Sequence, residues 1–196
     1  FRLAKKYIEL SNEIDKDIDI IIPTRSLNEL IKIIEENDES IELHIFDNKI
    51  LFKTEEIVVM SSLISGTYPD TNKLIPNEFE TILSVNLNDY FNGIDRASLL
   101  TNESDKNTIK LETNQNEIII SSNIPEIGNV KETVQVENLN NNDIIISFSS
   151  KYMIDALKTL NSEEILLCFN GDMKPIIIKE KNNDNLIQLI VPIRTY

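Results

Sequence analysis

Five cationic side chains recur on segments with helical periodicity, each on the side that faces away from the apolar residues. The chain as a whole is acidic, with 33 acidic and 19 basic residues and a formal net charge of −14, which excludes a protein that coats polyanions generally. Nucleic-acid binding stays open if the few basic residues gather on one surface. Glu29 and Asp155 share these faces, so an ordinary solvated helix surface is the alternative. Because the pattern recurs in three segments, we expect a basic lining formed by Arg25, Lys32, Arg96, Lys151 and Lys158.

The sequence contains no recognisable pattern for enzyme chemistry. Its four glycines form no phosphate loop or dinucleotide fingerprint, and no paired-histidine motif occurs, so we expect no cofactor and no metal. His44 alternates with apolar residues, which is typical of a solvated strand histidine. Cys168 lies in an apolar run and is expected in the core; a single cysteine excludes an intramolecular disulfide and indicates a reducing cytoplasm. No apolar run is long enough to span a membrane. An acidic α+β enzyme with a carboxylate site remains an alternative.

The segments that carry the cations follow a repeat. Residues 87–103 have apolar residues at helical spacing, with Leu99 and Leu100 outside the stripe. Similar helices are predicted to begin near Ser26 and Ser150, so the three starts fall at 26, 88 and 150, which are 62 residues apart. A strand precedes each helix and strands follow it, which predicts a repeated βαβββ unit. The apolar stripe of the middle helix consists of Leu87, Tyr90, Phe91, Ile94 and Ala97.

The first unit begins with an apolar strand over residues 18–23, which Pro23 ends. A helix is then predicted over residues 26–37, with Ser26 or Thr24 as its N-cap. The inward face of this helix is predicted to consist of Leu27, Leu30, Ile31 and Ile34.

Turn residues divide the rest of the chain into strands. Asp47-Asn48 predicts a hairpin, and the stretch at 66–76, which has two prolines and no periodicity, is the best domain boundary. A third helix over 150–160 turns Met153, Ala156, Leu157 and Leu160 inward. The predicted strands cover 41–46, 49–54, 56–64, 81–87, 108–113, 117–122, 130–137, 144–149, 164–169, 175–180 and 186–193.

Several segments together resemble the C-terminal part of a known family, the bacterial sliding clamp or DNA polymerase III β subunit. The match is collinear over the whole chain. The segments are FRLA at 1–4, GTYPDTNKLIP at 66–76, RASLLTNE at 96–103, KYMIDALKTL at 151–160, MKPIIIKE at 173–180 and LIVPIRTY at 189–196.

The resemblance implies an α+β clamp fold of repeated βαβββ units, with antiparallel sheets outside and helices lining the inner surface. On the family plan, residues 73–196 form a complete third domain and residues 1–72 only the later half of the middle domain, with the first domain absent. We therefore expect either a fragment of a full clamp or a natural truncation, and the chain opens on Phe1 rather than Met.

The implied function is a non-catalytic processivity factor that encircles duplex DNA without reading its sequence. Its implied partners are the DNA polymerase III α subunit, the clamp loader and other proteins with clamp-binding motifs, and the full-length chain would be a homodimer with no membrane partner. A truncated clamp that only binds partner peptides is the alternative. The five cations become DNA-facing residues, and Leu99 and Leu100 match the family's subunit contact. The implied peptide groove is lined by Arg2, Leu3, Pro69, Leu74, Tyr152, Met173, Pro175, Leu189, Val191, Pro192, Ile193 and Arg194.

Overall fold

The computed structural model of the chain describes residues 1–10, 16–34, 40–125 and 127–194. These residues form two compact units: a larger one of Phe1–Glu9 with Lys73–Tyr196, and a smaller one of Leu10–Asn72. The predicted helical residues 35–37 and the last two residues of the terminal LIVPIRTY segment lie outside the described ranges. No helix among the described residues is both long and apolar enough to cross a membrane.

The secondary structure follows the predicted order of strands and helices. The helices are α1 (Thr24–Ile33), α2 (Leu87–Ser98) and α3 (Ser150–Leu157), and a 3₁₀ turn covers Asn72–Leu74. The strands are β1 (Arg2–Lys6), β2 (Glu42–Ile45), β3 (Lys49–Lys53), β4 (Val58–Ser62), β5 (Thr81–Asn86), β6 (Thr108–Asn114), β7 (Glu117–Ile124), β8 (Gly128–Asn138), β9 (Ile145–Ser149), β10 (Glu164–Phe169), β11 (Ile176–Glu180) and β12 (Asn183–Ile190).

A nine-stranded antiparallel sheet forms the larger unit, in the order β1-β12-β11-β10-β5-β8-β7-β6-β9. Helices α2 and α3 pack against each other and bury their apolar stripes in the main core of this unit. The predicted inward residues of both helices are confirmed, since Tyr90, Ile94 and Met153 are 0% exposed. Such a core supplies most of the driving force for folding, because each fully buried large aliphatic side chain contributes about 1.5–3 kcal/mol.

The smaller unit has the three-stranded antiparallel sheet β2-β3-β4 and helix α1. Among the described residues of this unit, the buried core cluster consists of Leu30, Ile50 and Phe52, with a few half-buried residues around them. The hairpin predicted at Asp47-Asn48 is present between β2 and β3.

The repeat is confirmed in that three strands follow each helix and a strand directly precedes α2 and α3, with small shifts in its spacing. Helices α1, α2 and α3 begin at Thr24, Leu87 and Ser150, so both intervals are 63 residues (87 − 24 and 150 − 87) rather than the predicted 62.

The structure corrects three local predictions in the first unit. Residues 18–23 form no strand. Apart from the bonds that Pro23 accepts from the start of α1, their one backbone hydrogen bond to another described residue is the one that Ile21 accepts from Ile64, at 2.9 Å. Ile31 is 70% exposed, since the small cluster under α1 has room for Leu30 but not for the residue 100° further round the helix. Neither Thr24 nor Ser26 is the N-cap: Pro23 occupies that position without a side-chain hydrogen bond.

Strand β1 belongs to the larger unit, because it pairs with β12 along its whole length, from Arg2 opposite Ile190 to Lys6 opposite Leu186. The division into domains at residues 72 and 73 stays a prediction. Strand β12 ends at Ile190, three residues before its predicted end. Pro192 has no backbone N–H to donate to a sheet, which accounts for the early end.

Candidate nucleic-acid and peptide interfaces

Helix α2 presents Arg96 on its exposed side. The helix is capped by Asn86, whose side-chain oxygen accepts hydrogen bonds from the backbone amides of Asn88 and Asp89 at 3.0 and 3.1 Å. In its last turn, Arg96 donates from Nε and Nη2 to one carboxylate oxygen of Glu132 on β8, at 2.9 and 2.7 Å. This hydrogen bond is the main reason that the pKa of Arg96 is raised. The charge of Arg96 is therefore compensated locally, which weakens its attraction for a phosphate.

The cations of α1, Arg25 and Lys32, lie in the smaller unit and differ in their ion pairing. Arg25 is exposed and, within the described part of the chain, forms no ion pair. Lys32 donates to Glu29 at 3.0 Å, three residues earlier on the same helix. Exposed pairs of this kind contribute roughly 0–1 kcal/mol and open readily in favour of another anion.

The two cations of α3, Lys151 and Lys158, also have different surroundings. Lys158 is the exposed C-cap residue of the helix. Lys151, at the opposite end, lines a cavity on the larger unit. The structure thus gives the predicted DNA-facing residues different local surroundings, and their placement on one surface stays a prediction.

The cavity that Lys151 lines has a volume of about 620 Å³. It is formed by the chain after β12, the start of α3 and the turn before β6, and we call it the tail cavity. Its lining contains Phe1, Glu103, Lys106, Asn107, Ser149, Lys151, Tyr152, Val191, Pro192, Ile193 and Arg194. Five of the twelve residues predicted for a peptide groove are in this set: Tyr152, Val191, Pro192, Ile193 and Arg194.

Backbone hydrogen bonds hold the tail in place. The amide of Val191 donates to the carbonyl of Phe1 at 3.0 Å, and the amide of Ile193 donates to the carbonyl of Ser147 at 2.7 Å. Pro192 lies between these two anchors and is half-buried, as is Ile193. An apolar chain segment is thereby kept at the surface.

A second cavity, of about 520 Å³, shares Ile193 and Arg194 with the tail cavity. It adds Met173, another predicted groove residue, which is 48% exposed, and Ile145, which is 51% exposed. Apolar side chains that remain this exposed around a concave surface are typical of a binding site.

The other predicted groove residues have separate environments. The guanidinium of Arg2 lies over the Tyr152 ring, 5.1 Å from its centroid, and also forms an ion pair with Asp155. Leu3 packs against a buried cluster that contains Leu189, which is only 4% exposed. In the larger unit, Pro175 is half-buried and Leu74 is 49% exposed, whereas Pro69 belongs to the smaller unit.

Leu99 and Leu100 follow α2 and lie outside its buried stripe, as the periodicity predicts. Leu99 is 76% exposed, and Ile127, which precedes Gly128 at the start of β8, is 70% exposed; Gly128 approaches the side chain of Leu100. The spacing of the stripe gave no indication of Ile127, since it lies in the turn before β8. The role of these residues in a subunit contact stays a prediction.

Cys168 and His44 lie in environments that are typical of structural residues rather than of catalytic ones. Cys168 is 1% exposed, and burial raises the pKa of its thiol to about 11, so the reactive thiolate is suppressed at neutral pH. His44 is exposed on β2 with its Nε2 3.0 Å from Glu42, and the pKa of Glu42 is lowered by its hydrogen bonds to His44 and Lys53. Both residues occupy the environments predicted from the sequence. No group of three or more metal-ligating side chains occurs among the described residues.

Sequence reasoning missed the turn that completes the tail cavity. Lys106 and Asn107 have positive φ angles of 56° and 52°, and Ser150 donates to the carbonyl of Asn107 from its backbone amide and its hydroxyl at 2.9 and 3.1 Å. The polar residues at 102–107 indicate a turn in the sequence. Its position beside α3 depends on a contact across 43 residues, which no local pattern reveals.

Comparison with known families covers almost the entire chain. The family profile described as the central domain of the DNA polymerase III beta subunit matches residues 1–70, and the profile of its C-terminal domain matches residues 72–194.

Individual relatives agree with these profiles. The beta sliding clamp of Staphylococcus epidermidis is 44% identical over 195 residues, and that of Staphylococcus aureus is 43% identical; each match covers 100% of this chain and 52% of the relative. The crystal structure of the DNA polymerase sliding clamp from Bacillus subtilis superimposes with a TM-score of 0.93 at 42% identity, again over 100% of this chain and 52% of that one. The beta subunit from Streptococcus pyogenes gives a TM-score of 0.92 at 33% identity, over 99% of this chain and 52% of that one. The chain therefore spans about half the length of these relatives.

Proposed function

The chain belongs to the DNA polymerase III beta subunit family, and on this premise we propose that it acts as part of a sliding clamp, a non-catalytic processivity factor of the bacterial replicase. The observation that carries the proposal is the collinear match of two successive clamp-domain profiles to residues 1–70 and 72–194. A clamp increases processivity by holding the polymerase near DNA, which raises the effective concentration of one for the other.

The proposed DNA contact is electrostatic. Lys and Arg side chains that neutralise phosphates act without regard to sequence, which permits sliding. Of the five cations, Arg25, Lys151 and Lys158 are exposed and, within the described ranges, form no ion pair. Because Lys151 lines the tail cavity, Arg25 and Lys158 are the strongest candidates for DNA contacts. Lys32 and Arg96 would exchange Glu29 and Glu132 for phosphate oxygens when DNA is present.

The proposed partner contact is the tail cavity with the neighbouring cavity that contains Met173. Short peptide motifs of the polymerase α subunit, the clamp loader and other partners would place one or two Leu or Phe side chains there. A flexible motif that buries two such anchors is expected to bind with micromolar affinity, about 8 kcal/mol.

The proposed subunit contact uses Leu99 and Leu100 in a homodimer of the whole clamp. Because the chain spans 52% of its relatives, the ring requires the remaining domain as well.

Peptide binding without encirclement of DNA is the second candidate function. One observation favours it: all eleven residues lining the tail cavity belong to the larger unit, so this cavity requires no other part of a ring.

Retention on circular DNA tests the clamp proposal. We would fuse the N-terminal part of the Staphylococcus epidermidis clamp to residues 1–196, load the chimera on nicked circular DNA and follow its release by gel filtration. Reversing the charge of Arg25 and Lys32 should shorten retention and flatten its salt dependence, whereas reversing Lys174, an exposed lysine outside the predicted set, should not.

Two outcomes would contradict the proposal, one at the level of the DNA contacts and the other at the level of encirclement. Equal retention of the parent and the Arg25 and Lys32 variants would exclude these residues as DNA contacts. A folded, dimeric chimera that is not retained at all, yet still binds partner peptides, would favour the second candidate.

A further inference from the structure

The tail cavity is cationic in a chain that is strongly acidic overall. Lys106, Lys151 and Arg194 line it, against one acid, Glu103. Among the described residues none of these three cations forms an ion pair, whereas Arg96 and Lys181 in the same unit are paired with glutamates. With 33 acidic residues available in the chain, three uncompensated cations around one cavity leave a local field that attracts an anion.

The backbone fixes two of these cations relative to each other. The turn before β6 is closed by the amide of Asn107, which donates to the carbonyl of Asn102 at 2.8 Å, and by the amide of Lys106, which donates to the carbonyl of Glu103 at 3.0 Å. Ser150, next to Lys151, donates twice to the carbonyl of Asn107. Lys106 and Lys151 therefore start from anchored backbone positions, which lowers the ordering cost of binding a ligand between them.

The one acidic residue of α3 already has a cationic partner. Asp155 is held by Arg2, whose guanidinium also covers one face of Tyr152. The cavity thus combines apolar side chains from the tail with ammonium and guanidinium groups at its rim.

We propose that the tail cavity selects peptides in which carboxylate side chains flank the apolar anchors, with Lys106 and Lys151 as specificity-determining contacts. The inference rests on the proposed peptide docking and deepens it, because it names the chemistry of the preferred partner. It also reassigns Lys151, which was predicted to face DNA. The apolar tail favours a peptide over nucleic acid as the occupant, since a phosphate backbone offers nothing to bury against Pro192 and Ile193.

A charge-swapped pair of peptides tests the proposal on the 196-residue chain. Two fluorescein-labelled, amidated nonapeptides would share two leucines and a phenylalanine and differ only in whether two flanking positions are Asp or Asn. Their dissociation constants would be measured by fluorescence anisotropy for the parent, the double variant Lys106→Gln, Lys151→Gln and the control Lys131→Gln. Lys131 is an exposed lysine of β8 and does not line the tail cavity.

The parent and the control should bind the Asp peptide about three- to tenfold more tightly than the Asn peptide, the range expected for two exposed charge pairs. The double variant should lose this preference while its affinity for the Asn peptide stays the same. Raising the salt concentration from about 0.05 M to about 0.5 M should remove the preference in the parent as well.

Three results would overturn the inference, and they separate it from the proposed function. Equal binding of both peptides by all three proteins would refute the charge preference while peptide docking stands. Absence of binding to either peptide, with a native circular dichroism spectrum, would refute docking itself. If the double variant lost affinity for a 20-base-pair duplex and not for the Asp peptide, Lys106 and Lys151 would be DNA contacts.

Discussion

Replacing Tyr90 with Phe is expected to maintain or raise the free energy of unfolding, although this residue is completely buried. Tyr90 lies on α2 within the main core at 0% exposure, and among the described residues its hydroxyl has no hydrogen-bond partner. A buried hydroxyl without a partner costs about 1–3 kcal/mol of desolvation, whereas the ring that Phe retains supplies the packing. Removing the oxygen should therefore change stability by between zero and about +2 kcal/mol. For a chain of this size, each kcal/mol corresponds to about 2–4 °C in Tm.

Urea unfolding followed by far-UV circular dichroism would measure this change, because the chain has no tryptophan for fluorescence. Tyr7→Phe is the matched control: Tyr7 is 52% exposed, and the same substitution there should stay within about 0.5 kcal/mol of the parent. Tyr90→Ala, which also removes the ring, should cost about 3–5 kcal/mol.

The ionisation of Tyr90 gives the prediction a second readout. Burial raises the pKa of its hydroxyl above the ordinary value of 10.0, so the folded protein holds this proton more tightly than the unfolded chain does. The contribution of this protonated hydroxyl to the free energy of unfolding is complete below pH 10 and is lost as the pH rises further. The Tyr90→Phe variant has no such hydroxyl, so its free energy of unfolding should decline less above pH 10 than that of the parent. A loss of more than about 1 kcal/mol in Tyr90→Phe at neutral pH would refute the reasoning, because the hydroxyl would then have a favourable partner.

Three further predictions concern the core, the tail and the subunit contact. The raised pKa of Cys168, from 9.0 to about 11, should make the parent lose about 2–3 kcal/mol of stability between pH 9 and 11 that Cys168→Ala does not lose, as measured by urea unfolding at each pH. Deleting residues 191–196 should abolish peptide binding in calorimetry and leave the fold intact, because β12 ends at Ile190; unchanged binding would mean that the groove is elsewhere. In the chimera with the Staphylococcus epidermidis N-terminal part, Leu99→Ala with Leu100→Ala should convert a dimer to a monomer in sedimentation at low concentration, and a variant as dimeric as the parent would reject that interface.

Local patterns in the sequence determined which face of each helix in the larger unit is buried. The apolar stripe of α2 and the inward side of α3 follow from helical spacing alone, and the alternation and turn residues indicated most of the strands. The apolar run around Cys168 likewise predicted a buried thiol. Each of these features depends on residues within a few positions of one another, so the sequence encodes them directly.

Tertiary structure decided where each element packs and what each charged side chain contacts. Strand β1 joins the larger unit because its partner, β12, lies at the other end of the chain. Arg96 is compensated by Glu132, 36 residues away, and Lys151 reaches a cavity because the turn at 102–107 packs beside α3. Ile31 stays exposed because the cluster beneath α1 is too small to cover it. These outcomes depend on sheet register and on contacts between segments distant in sequence, and helical or strand periodicity carries no information about either.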